Sequence, residues 1–265
     1  EYSLGGIWRW RIPVPSAAAQ GICIAARGCG SSLAKSLRKK MTERKVLDKG
    51  YVRLLSVSGP DGAADDCDPA NCARVSFDAR DTRTREDDLR LNRYLWKHRH
   101  TTPFEMVVTW WEMKLPIFVA RQLLRHRTAS INETSRRYVD DDPEIYYPDR
   151  WRPRAADKKQ GSSDEPLHHM AAASTGVAYF QATAEALAAY RKAIAAGVAP
   201  EMARMVLPVS AYTKWIWKQD MHNLLHMLKL RSAPDAQWET RQYADAMIAL
   251  LRQRLPDLME VALCA

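Results

Sequence analysis

An apolar segment, Ile117-Phe118-Val119-Ala120-Arg121-Gln122-Leu123-Leu124, runs directly into Arg125-His126-Arg127-Thr128-Ala129-Ser130-Ile131-Asn132-Glu133-Thr134-Ser135-Arg136-Arg137. This junction constrains the fold more than any other stretch. Phe118, Arg121, Gln122 and Arg125 recur at helical spacing, which predicts a helix that ends among arginines. Four guanidiniums within thirteen residues cannot be buried without partners. Two arrangements satisfy that condition: a solvated basic edge, or a cradle for an anionic ligand. Arginine suits planar, bidentate capture of phosphate and carbonyl groups. Ser130, Asn132, Glu133 and Ser135 add small polar contacts that a solvated edge does not need. Runs of charge are commonly solvated faces, so residue types alone leave both arrangements open.

The net charge of +9 suggests a nucleic-acid partner, but its distribution argues against one. Residues 1–45 hold nine Lys/Arg against two acids, leaving 31 basic and 29 acidic residues in the remainder. The body is nearly neutral, and its basic clusters are local. Residues 1–45 are expected to be a disordered, basic extension or upstream sequence, with the folded domain spanning 46–265. Their composition is close to that of an organellar transit peptide; a secretory reading of Gly21–Ala26, and a start at Met41, are the alternatives. The five cysteines (Cys23, Cys29, Cys67, Cys72 and Cys264) form no C-x-x-C pair, so reduced thiols in the cytoplasm are expected. No run of eighteen apolar residues is present, so no membrane span is expected.

Val46–Ser58 reads as a strand closed by the turn cluster Gly59-Pro60-Asp61-Gly62. A short helix is expected within 63–73, and a longer amphipathic helix over Glu86–His98. Pro103 is expected to stop the helical region and hold Thr102 extended. Phe104–Leu115 should be a long strand that Pro116 ends, opening the helix into the arginine segment. Asn132–Tyr138 is a loop or strand; if extended, Glu133, Ser135 and Arg137 share one face. The Pro-, Asp- and Arg-rich stretch 140–163 is a long loop. A helix over His168–Ala196, a short Pro-led helix from Pro200, a strand Tyr212–Lys218, a helix capped by Asp220 and a helix Gln237–Leu255 complete the chain. His168/His169 lack a third ligand at metal spacing, and His222/His226 make half of an H-E-x-x-H pattern in which Asn223 offers no general base, so no metal site is expected. No G-x-G-x-x-G or Walker lysine occurs, so neither a Rossmann nor a P-loop nucleotide site is indicated.

Arg125-His126-Arg127, followed seven residues later by Ser135, resembles the signature of the flavin-dependent thymidylate synthases. Ala120-Arg121-Gln122 before it and Asn132-Glu133-Thr134-Ser135-Arg136-Arg137-Tyr138 after it match as well. His100-Thr101-Thr102-Pro103-Phe104-Glu105, Ala73–Phe77 and Ala203-Arg204-Met205-Val206-Leu207-Pro208 resemble further family segments, in the family's order. The resemblance covers roughly residues 46–255. It implies an α+β fold with a mostly antiparallel, twisted sheet surrounded by helices. It implies methylation of dUMP to dTMP, with methylenetetrahydrofolate as carbon donor and NADPH as reductant through FAD. It places Gln122, Leu123, Leu124, Arg125, Glu133, Thr134, Ser135, Arg136, Arg137, Arg204 and Arg231 at the dUMP site. Flavin contacts would be Ser76, His100, Thr102, Arg125, His126, Arg127, Glu133, Asp220, His222 and His226. Some members carry Asn where this chain has Asp220 and His226. Members are homotetramers with active sites shared between subunits, and the same is expected here.

The chemistry agrees with that implication. Pyrimidine C5 is a poor nucleophile until electron density is pushed toward it. No cysteine falls within the motifs, which disfavours cysteine addition at C6. Hydride delivery to C6 then requires a preorganised donor at the base carbonyl and N3, and Arg231 is the expected catalytic residue. Ser135 has no activating base near it in sequence and is expected to bind substrate rather than attack it. The competing classes are a nucleic-acid-binding protein without catalysis, supported by the arginine cluster and nine tryptophans, and another flavoprotein on the same scaffold. Flavin colour separates the first from an enzyme, and dUMP- and folate-dependent turnover separates the second.

Overall fold

An antiparallel sheet with one buried face carries the molecule. The computed structural model describes residues 42–80, 83–156 and 161–263. Most of the basic extension, residues 1–41, lies outside the described residues, as do Cys23, Cys29 and Cys264. The strands are β1 (Glu43–Val46), β2 (Gly50–Gly59), β3 (Gly62–Ala63), β4 (Val108–Pro116), β5 (Ser130–Glu133) and β6 (Tyr212–Asp220). Their order is β1-β2-β4-β6-β5, with β3 on β2, and every pairing is antiparallel. Residues alternate between faces along β4 and β6. Trp111 lies opposite Trp217 and Met113 opposite Trp215, all four buried. Each buried tryptophan contributes on the order of 5 kcal/mol as an upper bound on area grounds. Trp110, Glu112, Ile216 and Lys218 take the other face.

The helices are α1 (Asp68–Arg74), α2 (Arg85–Lys97), α3 (Thr102–Glu105), α4 (Ile117–Leu123), α5 (His169–Ala195), α6 (Pro200–Ala203), α7 (Met221–Arg231), α8 (Trp238–Arg254) and α9 (Pro256–Leu263). Leu224, Leu225 and Leu228 of α7, with Tyr243, Met247, Leu250 and Leu251 of α8, close the core over the buried sheet face. In α9, Leu258 and Met259 extend that core. An acid–base cluster secures α9: Arg85 pairs with Asp257 at 2.6 Å and Asp66 at 3.1 Å, and Asp66 accepts the Leu258 N–H at 2.8 Å. Asp88 of α2 pairs with buried Arg74 of α1. Removing one member of such a buried pair costs about 3–5 kcal/mol. No helix among the described residues is long and apolar enough to cross a membrane.

Several expected elements differ. The predicted strand Val46–Ser58 is a hairpin, because the chain reverses at Leu47 with φ 58° and the strand β1 already starts at Glu43. Leu47 is a poor turn former by type, but its side chain packs against the core and offsets the strain. Gly50 follows because a Cβ there would collide with the Tyr243 hydroxyl. Thr102 is helical rather than extended: Pro103 lies in the first turn of α3, where its missing N–H costs nothing. The long strand therefore starts at Val108, not Phe104. Ala73–Phe77 ends in a 3-10 turn, Val75–Phe77. β5 stops at Glu133, and Ser135–Tyr138 forms a turn closed by Tyr138 N–H to the Ser135 carbonyl at 3.1 Å. Glu133, Ser135 and Arg137 consequently do not share one extended face.

Candidate active site

The arginine segment is placed by α4. Its first N–H groups are satisfied from outside the helix: Ile117 donates to the Ala211 carbonyl and Phe118 to that of Val209, both at 2.9 Å. Val119, Ala120 and Leu123 are buried, so the opposite face, with Arg121 and Gln122, looks outward. After Leu123 the chain makes a tight turn, with His126 N–H bonded to the Leu123 carbonyl at 3.0 Å. Leu123 is 1 % exposed, so its side chain belongs to the core and only its backbone is open to a nucleotide role. Leu124 is exposed.

Arg231 is the last residue of α7, where the helix dipole favours a cation. Its Nε donates to His126 Nε2 at 3.1 Å and its Nη2 to the Gln122 carbonyl at 3.3 Å. Burial, then the charge of Arg125, holds its pKa below the ordinary guanidinium value. Arg121, Gln122, Arg125 and Arg231 line a cleft of about 1020 Å³, with Phe118, Tyr146 and Val209 as apolar wall. Five arginines in all, counting Arg150 and Arg152, face Asp235 and Glu239 there. The sequence did not single out Arg152, Gln237 or Glu239. Arg152 is nearly buried, stacks 3.9 Å from the Trp238 ring centre and pairs with Glu239 at 2.9 Å. Gln237 hydrogen-bonds the Gln122 side chain. The alternation of Arg150 and Arg152 around Trp151 was the available signal.

Glu133, Thr134, Ser135, Arg136 and Arg204 line a second cleft of about 730 Å³, and no residue lines both. Arg136 is held by the Asp141 carboxylate and, at 2.6 Å, its carbonyl. Ser135 Oγ accepts the Arg137 N–H at 3.3 Å, and Arg137 pairs with Glu201 of α6 at 3.3 Å. Glu133 accepts from the Thr213 hydroxyl at 2.6 Å. The expected nucleotide residues thus fall into two groups within one chain.

The expected flavin residues gather along α7 and the end of α2. Two N–H bonds close α2 in a Schellman turn, Arg99 to the Trp96 carbonyl at 3.1 Å and His100 to that of Leu95 at 2.9 Å. Arg99 takes φ 58°, a position usually given to glycine. The turn sets the His100 ring stacked on Tyr94 at 6.2 Å. Trp96 meets His222 edge-on at 6.1 Å, and His126 meets His226 at 6.4 Å. Asp220 caps α7 by accepting the Asn223 N–H at 2.9 Å, so its carboxylate is already committed. Thr102, Arg127 and Ser76 are exposed, the last beside strongly exposed Phe77. Glu133 is the exception: it pairs opposite Trp215, five residues along β6 from Asp220, or about 17 Å at strand rise. These residues fit a flavin. Ring edges and an exposed phenyl offer a planar apolar group its contacts, and buried His222 Nδ1 has no hydrogen-bond partner among the described residues.

Burial first, then the charges of Arg231 and His226, pushes His126 from its ordinary 6.5 down to about 4. The unfolded chain therefore takes up the proton before the folded one. Stability is expected to fall as pH drops from about 6.5 to about 4, by an amount reduced because the ring is partly solvated. Urea midpoints across that range should decline more steeply for the wild type than for His126→Gln; parallel declines would contradict this. Cys67 is buried, with its thiol pushed up to about 11, and neither it nor Cys72 lines either of these two clefts.

Comparisons with known proteins identify the family of the chain. The family described as thymidylate synthase complementing protein matches residues 61–257. A flavin-dependent thymidylate synthase of Thermus thermophilus is 49% identical over 211 residues, 80% of this chain and 74% of that protein. One from Kosmotoga olearia is 40% identical over 225 residues, 83% of this chain and 93% of that protein. The crystal structure of a UMP/dUMP methylase, PolB from Streptomyces cacaoi, bound with 5-Br dUMP, superposes with a TM-score of 0.69 at 30% identity. It covers 82% of this chain and 96% of that one.

Proposed function

The chain belongs to the flavin-dependent thymidylate synthase family, and from that premise we infer that it methylates dUMP to dTMP by that family's reaction. The observation that carries this reading is the Arg231 guanidinium, fixed by His126 and the Gln122 carbonyl at the mouth of an arginine-lined cleft. FAD, when bound, would supply the hydride, with methylenetetrahydrofolate as the carbon donor and NADPH as the source of reducing equivalents. Arg231 faces the carbonyl and N3 edge of the pyrimidine and stabilises the negative charge that grows there. Gln122 and Arg125 orient the nucleotide. His126, His222, His226, His100 and Thr102 would hold the flavin.

Ser135, Arg136 and Arg204 take the phosphate and ribose, and they do so from a second copy of the chain. Their cleft is separate from that of Arg231 within one chain, which supports a site completed across an interface. The surface of α5 supports an assembly, taken here as a homotetramer. Of its 27 residues only Thr183 and Tyr190 are buried, leaving Met170, Val177 and Phe180 exposed beside exposed Met202, Met205 and Val209. Apolar exposure on that scale marks interaction surfaces. The free thiols of Cys67 and Cys72 suit a reducing, cytoplasmic setting.

Expression in a host that requires thymidine should restore growth without it, and failure to do so with soluble, yellow protein present would overturn the assignment. Ser135→Ala should weaken dUMP binding by about tenfold, the loss of one hydrogen bond to a charged group, and leave measurable turnover at saturating dUMP. A dead enzyme with dUMP still bound would instead make Ser135 a nucleophile.

A further inference from the structure

We propose that His126, beyond its place among the flavin residues, is the positioning residue that sets the orientation of Arg231. Two of the three guanidinium nitrogens of Arg231 are tied to one short segment, Nε to His126 Nε2 and Nη2 to the Gln122 carbonyl. The carbonyl bond is the longer, at 3.3 Å against 3.1 Å, and it alone leaves the fork free to rotate. The imidazole removes that rotation. It is itself fixed, by its backbone bond to Leu123 and by the His226 ring edge-on at 6.4 Å. Arg231 reaches the cleft, whereas His126 does not line it. The guanidinium edge turned away from His126 is therefore the one offered to substrate. A chain of contacts runs from His226 in the flavin group, through His126, to the substrate arginine.

The arrangement requires one protonation state. Nε2 can accept the Arg231 N–H only with its lone pair free, which puts the proton on Nδ1. The charged and titratable groups facing the ring are Arg231 and His226 of α7, with Arg125 and Arg127 beside it in the chain. The positive ones all oppose a second proton. A protonated ring would turn an acceptor into a donor directed at a cation. Orientation of Arg231 should therefore hold throughout neutral pH and fail as the pH falls toward 4.

This rests on the proposed reaction for its purpose but not for its test. On the flavin-loaded protein, with 15N-labelled arginine and histidine, the Arg231 Nε–H resonance should be protected from exchange, and His126 Nε2 should be unprotonated at pH 7. His126→Ala should lose that protection and weaken dUMP binding, followed by flavin absorbance, by about 10- to 100-fold, the range for one lost hydrogen bond to a charged group. His126→Gln, whose side-chain oxygen can accept the same N–H, should recover the protection and much of the affinity. In the wild type the protection should disappear with a midpoint near pH 4, and in His126→Gln it should not. Should His126→Ala lose its flavin, the resonance in the wild type and in His126→Gln still decides. Unchanged protection in His126→Ala, or a glutamine variant no better than alanine, would overturn the proposal. A wild type that makes no thymidylate would overturn the reaction and leave the positioning result standing.

Discussion

Arg231→Ala should lower thymidylate formation by about 10²–10³, the cost of removing one preorganised donor from a developing anion, while the purified protein keeps its flavin. Arg231 ends α7, away from the Asp220 cap and the His222 ring, so its loss leaves those supports in place. It is part-buried and gives up two hydrogen bonds, to His126 and the Gln122 carbonyl, neither of which is in the core. Arg231→Lys should recover little. A single ammonium cannot hold both acceptors and still present a planar edge to a pyrimidine. Turnover at saturating dUMP, with flavin absorbance as the control for folding, separates the outcomes. Near-normal turnover in Arg231→Ala would move the catalytic role elsewhere in the cleft.

The second large effect concerns assembly. Arg204→Ala alone should lose most dUMP binding, and Arg231→Ala alone most turnover. Mixed and reassembled, the two inactive proteins should regain roughly a quarter of wild-type activity, the share of two-chain sites that random assortment leaves intact. The prediction follows from the two clefts, which share no residue. Activity that stays at the level of the parents would place both arginines in a site made by one chain.

Much of this could be read from the residues because local rules and tertiary structure agree there. Asp220 caps α7 as its type and position suggest, and β6 alternates buried and exposed residues as its sequence does. The errors fall where a residue takes a conformation its type disfavours. Leu47 and Arg99 both adopt positive φ, so the first hairpin and the turn that places His100 carried no glycine to mark them. Pro103 reads as a stop in sequence, yet it lies in the first turn of a helix, where proline is favoured. The last helix, α9, starts at Pro256 in the same way, so the proline that reads as the end of the preceding helix also opens a new one. The division of Gln122, Arg125 and Arg231 from Ser135, Arg136 and Arg204 had no signature at all. Ser135 is only ten residues from Arg125, and spacing along a chain that turns and pairs does not give distance in space.

Incubating purified, flavin-loaded protein with dUMP, NADPH and methylenetetrahydrofolate labelled in its methylene carbon tests the central claim most directly. Label is expected in the methyl group of thymidylate, dependent on all three, with no covalent bond between nucleotide and protein in acid-quenched samples. Flavin that NADPH reduces without any labelled thymidylate, or nucleotide trapped on a cysteine or on Ser135, would contradict it.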